Sequence, residues 1–173
     1  MIGVIASAAD QSVVREFFEL FKTPWEFART GSRYEVLLYA DGGPIHAEPA
    51  ALTVVYSGRP LPCDLIGLRE CVPLQNAART LRYGNGDRIP LYCDGVGFPT
   101  GDAFLAHEGS GTPVAYRVSS ESRTTVRLGY DLFREIRFLL TEGQPAANAD
   151  IPTLELHIQV LRDVIAGQGI DFA

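Results

Sequence analysis

A few side chains in this sequence have the type and placement to do chemistry. Asp10, Asp41 and Asp94 each follow a stretch that reads as a β-strand. In an open parallel sheet such positions gather at the carboxyl edge, where ligands bind. Three carboxylates there could bind a small ligand, hold Mg²⁺ or do acid–base work. Each also has a plain local use, because Asp is a common cap and turn residue. Cys93 ends the strand expected over Ile89–Cys93, where a nucleophile elbow would place its thiol. An elbow wants small residues two places before and after; Gly95 fits and Leu91 does not. The base would have to be His46, His107 or His157, and the alternative is a buried structural thiol. The three histidines have no zinc-ligand spacing, so no metal and no cofactor is expected. The run Asp94-Gly95-Val96-Gly97-Phe98-Pro99-Thr100-Gly101 has the look of a glycine-rich phosphate loop. Its third glycine comes one place late, Pro99 removes an N–H donor, and no helix pattern follows. It reads as a turn.

These residues need elements to bring them together. Ile2–Ala6 is a continuous apolar run, as expected of a strand buried on both faces of a parallel sheet. Asp10 can cap a helix whose Val13, Val14, Phe17, Phe18 and Phe21 form one stripe, stopped by Pro24. Val36–Tyr39 and Leu52–Tyr56 read as further strands, each closed by a glycine-containing turn. Between Pro60 and Gly111, Pro and Gly break up any long period. Val114–Val118 and Thr124–Leu128 alternate around Ser119-Ser120-Glu121-Ser122, a hairpin signal. Asp131 can cap a helix carrying Leu132, Phe133, Ile136, Leu139 and Leu140. A last helix opens near Pro152, with Leu154, Ile158, Leu161 and Ile165 on one stripe. Leu156, Val160 and Val164 form a second stripe, expected to be an exposed interface unless another chain, a following domain or the Pro60–Gly111 segment covers it. A homodimer is one way to cover it. The fold class expected is α/β: a three-layer, flavodoxin-like or amidotransferase-like arrangement. Ile2–Ala6 lies centrally in its largely parallel sheet, and an antiparallel hairpin forms one edge.

Composition sets the outer bounds. The 173 residues suit one domain, with 46% hydrophobic and 21% charged residues, ordinary globular usage. Lys+Arg total 15 against Asp+Glu 21, for a net charge of −6. That balance argues against nucleic acid or an anionic membrane as partner. No apolar run approaches the roughly 20 residues of a membrane-spanning helix. Three cysteines without a C-x-x-C pair argue for reduced thiols in a cytoplasmic setting.

One resemblance sharpens this picture. The stretches Leu128-Gly129-Tyr130-Asp131-Leu132-Phe133-Arg134-Glu135-Ile136, Phe138-Leu139-Leu140-Thr141-Glu142-Gly143-Gln144-Pro145 and Ile151-Pro152-Thr153-Leu154-Glu155-Leu156-His157-Ile158 carry it, together with Met1–Ser7 and Phe17–Trp25. In these the chain resembles an uncharacterised bacterial region found ahead of polysaccharide-deacetylase-like catalytic domains. The deacetylase motifs Thr-(Phe/Tyr)-Asp-Asp and His-x-x-x-(Ser/Thr)-His are both missing, so no catalytic residue carries over. The resemblance implies an N-terminal domain of a longer, carbohydrate-active chain, with the following deacetylase-like domain as its partner. The expected function is a non-catalytic accessory domain that docks on that domain or positions its substrate. The alternatives are a small amidotransferase-like or flavodoxin-like hydrolase using Cys93, and a small-ligand-sensing domain using the sheet's carboxyl edge.

Overall fold

The computed structural model describes residues 1–40, 42, 50–66, 70–74, 79–84 and 86–172. The expected first strand, β1 (Ile2–Ala6), leads through a 3₁₀ turn at Ala8–Asp10 into helix α1 (Gln11–Phe21). The buried stripe of α1 is Val13, Val14, Phe17, Phe18 and Phe21, as its spacing requires. Lys22 ends the helix in the left-handed conformation, its N–H returning to the Phe18 carbonyl. The chain then forms β2 (Trp25–Phe27), β3 (Val36–Ala40) and β4 (Leu52–Tyr56). Short elements follow: α2 (Pro62–Ile66), β5 (Val72–Pro73), β6 (Thr80–Tyr83), β7 (Asp87–Pro90), β8 (Val96–Gly97) and β9 (Leu105–His107). The hairpin β10 (Ala115–Ser119) and β11 (Thr124–Leu128) precedes α3 (Leu132–Thr141) and α4 (Thr153–Ala166).

The result is a mixed α/β fold around a six-stranded, largely parallel sheet ordered β10-β11-β4-β3-β1-β2. β10 alone runs antiparallel, forming the expected edge hairpin with β11. β1 is interior, between β3 and the short edge strand β2. The strand order reverses direction between β1 and β3. On one face Ile2, Val4, Leu38, Val54 and Val126 join Phe17, Phe133, Ile136 and Leu161 from α1, α3 and α4 in a single core. On the other, Leu37 packs with Tyr34 and Ala50, and Tyr39 and Val55 pack with Leu61 beside α2. Gly3 serves this face: a Cβ there would meet the Tyr34 ring at 2.6 Å, so only glycine lets the ring lie on β1. The Tyr34 hydroxyl donates to Glu26 at 2.8 Å.

Two expectations change here. The second stripe of α4 is not a surface: Val160 is 0% and Val164 3% exposed, and Leu156 is partly buried against the same core. The cover comes from the segment the sequence left unread. Its antiparallel sheet β7-β6-β9 lies against α4, where the Tyr83 hydroxyl bonds Asp163. α3 touches α4, and Arg162 reaches the Phe21 carbonyl at the end of α1. The stripe therefore gives no reason for a homodimer. The strand expected over Ile89–Cys93 is β7, which stops at Pro90, so Cys93 does not end a strand.

Candidate functional site

A cleft of ≈ 360 Å³ opens at the carboxyl ends of β1, β3 and β4, the switch point of the sheet. Each strand supplies the residues that follow it. Ser7 and Asp10 come after β1, Ser57-Gly58-Arg59-Pro60 after β4, and Asp131 and Arg134 after β11; Asp94 closes the rim. Two of the expected aspartates, Asp10 and Asp94, thus meet in one place. Asp41 lies outside the described residues, as does His46; Ala40 and Gly42 beside Asp41 line the cleft.

The carboxylates are already engaged. Asp10 accepts the Ser7 hydroxyl at 2.7 Å and pairs with Arg137 of α3. It stands at the start of α1 without a side-chain bond to that helix, so the expected capping use gives way to a link between α1 and α3. Asp94 takes Arg79 at 3.0 Å, and the same guanidinium nitrogen bonds the Cys93 carbonyl at 2.7 Å. Asp131 caps α3 as expected, accepting the Arg134 N–H at 3.1 Å. Burial, with the Asp10 carboxylate nearby, holds the Asp131 carboxyl above its ordinary range against the pull of that N–H.

Buried ions set the loops that line the cleft. Arg127 of β11 and Asp64 of α2 are both 0% exposed and pair at 3.2 Å. The same guanidinium donates to the carbonyls of Ser57 at 2.8 Å, Arg59 at 2.7 Å and Leu128. The loop after β4 therefore hangs from one guanidinium. Asp64 also accepts the Tyr116 hydroxyl at 2.6 Å and the Leu61 N–H at 2.8 Å. Although burial opposes it, the Tyr116 bond and the Arg127 charge hold the Asp64 carboxyl below its usual range. Gly58 presses backbone to backbone on the opposite rim: a Cβ there would stand 2.3 Å from the Asp94 carbonyl oxygen. Glu135 of α3, fully buried, fixes that rim by accepting the Tyr92 and Cys93 N–H groups at 2.9 and 2.8 Å. Burial raises its carboxyl above the usual range.

Cys93 does not line the cleft. Burial, and then the neighbouring Glu135 carboxylate, push its thiol up to about 12, the wrong direction for a nucleophile. The described histidines are engaged elsewhere. His107 bonds Ser110 at 2.8 Å, while His157 is buried with the Tyr130 hydroxyl at 3.3 Å. Burial lowers His157 to about 4. Tyr130 packs edge-on against Tyr56, and both side chains are buried.

Arg59, Arg134, Asp64, Arg127 and Glu135 were not singled out from the sequence. Arg127 is a charge inside an alternating strand pattern, and Glu135 falls between Leu132 and Ile136 on the apolar stripe of α3. Those two misplacements are the signals that mark buried polar work. Among the described residues, no group of three or more His, Cys, Asp or Glu side chains is placed to hold a metal ion, and no helix is long and apolar enough to cross a membrane. No family model and no curated protein matches this chain.

Proposed function

We propose that this chain is a non-catalytic accessory domain of a polysaccharide-deacetylase-like, carbohydrate-active protein, and that its cleft binds a small hydroxyl-bearing ligand of the sugar class. The observation that carries this reading is the state of the cleft carboxylates. Asp10, Asp94 and Asp131 are each committed to a guanidinium or a helix N–H, which suits fixed hydrogen-bonding walls better than a mobile proton carrier. Loops anchored by buried charges supply the preorganisation that binding sites need. The resemblance to regions ahead of deacetylase-like domains supplies the sugar and the partner domain. The sheet order supports a doubly wound layout, and three free thiols support a reducing, cytoplasmic setting. The Cys93 hydrolase reading loses support from the raised thiol.

The test is an NMR titration of the chain with N-acetylglucosamine, alongside an acetate-release assay on its oligomer with added divalent metal. Shifts confined to Ser7, Asp10, Gly58 and Asp131, with no acetate released, are expected. Metal-dependent acetate release, or no shifts at the cleft, would overturn the proposal.

A further inference from the structure

We infer that the cleft selects an acidic ligand, one bearing a carboxylate or a phosphate ester that Arg59 and Arg134 bind together. The inference rests on the reading of the cleft as a sugar-binding site and adds the charge of what it takes. Three aspartates and two arginines line the cleft. Two of the aspartates are neutralised from outside it, Asp10 by Arg137 and Asp94 by Arg79. The third, Asp131, is turned to the backbone N–H of Arg134. Arg59 and Arg134 are the cations left over. Among the described residues, neither guanidinium has a carboxylate within ion-pair distance.

Both side chains also spring from fixed backbone. The Arg59 N–H donates to the Ser57 hydroxyl at 3.1 Å, and its carbonyl is held by Arg127 at 2.7 Å. Arg134 sits in the first turn of α3, pinned by Asp131 at 3.1 Å. A planar guanidinium fork on an anchored stem is the group best suited to a carboxylate or phosphate oxygen pair. The chain carries a net charge of −6, so its general field repels anions. An acidic ligand entering this cleft meets the local exception to that field.

Calorimetric titration of the chain with three probes tests this: N-acetylglucosamine, its 6-phosphate and D-glucuronate. The expected result is that one acidic probe binds about tenfold or more tighter than the neutral sugar, the gain of one charge-assisted contact. The phosphate and the carboxylate arms then tell the two sources of negative charge apart. Arg59→Gln or Arg134→Gln is expected to remove that gain, so that the variant no longer binds the acidic probe tighter than the neutral sugar; both side chains are exposed, so thermal unfolding should match the parent chain. Equal binding of all three probes overturns the inference and leaves the sugar-site reading standing. An acidic preference that survives both substitutions likewise overturns it. Absence of binding by every probe overturns both.

Discussion

His157 has the Tyr130 hydroxyl at Nδ1 and no hydrogen-bond partner at Nε2 among the described residues, and burial lowers its pKa to about 4. In the unfolded chain the same imidazole titrates at about 6.5. Between these values the unfolded state takes up a proton that the native state refuses, so stability rises with pH across that window. As pH falls from 6.5 towards 4, a contribution on the order of 3 kcal/mol is lost. Urea unfolding of the parent chain and of His157→Gln over this range checks it. The difference in stability between the two should shrink steadily on acidification; a constant difference would show that the imidazole is not buried neutral. Single residues were legible in the sequence where their work is local. Asp131 reads as a cap and is one; Asp10 and Asp94 follow the expected turns into the cleft. Cys93 and the cleft arginines were not legible, because reactivity and free charge depend on neighbours such as Glu135 and Arg79 that arrive from elsewhere in the chain.

The loop after β4 and the strand β11 are joined through Arg127, whose guanidinium serves two loop carbonyls and the Asp64 carboxylate at once. Replacing it by Met leaves Asp64 buried with its charge unanswered, a loss of ~3–5 kcal/mol. The double variant Arg127→Met with Asp64→Leu should regain part of that loss in urea unfolding. It should still bind cleft ligands poorly, since the carbonyls of Ser57 and Arg59 remain released. Full recovery of binding would show that the loop holds its shape without the guanidinium. At this scale β1, α1, the β10–β11 hairpin and α3 were legible, each from a strong period and a clear stop. β2 was not, since three residues after Pro24 carry no period. The strands between Pro60 and Gly111 pair across distance, and no local pattern announces that.

Considered whole, the molecule covers the apolar last helix. α3 and the end of α1 meet it, and so does β7 of the small sheet β7-β6-β9. Val160 is therefore core, and Val160→Glu places an unpaired carboxylate where exposure is 0%. Loss of the cooperative unfolding transition is expected by circular dichroism; a variant that unfolds like the parent chain would mean the cover is looser than described. The sequence made the all-round apolar character of α4 legible and hid its cover, because the covering strands are the short ones. The pairing of β4 with β11 carries a further consequence, for the order of events as the chain folds. Asp64 and Arg127 stand 63 residues apart, and the loop between them must close before either strand gains from the contact. On a growing chain, β4 emerges long before its neighbour and keeps an open, apolar edge in the meantime. The same delay governs the cleft, whose β4 loop stays slack until Arg127 docks, so the site is completed by the last strand of the sheet to leave the ribosome.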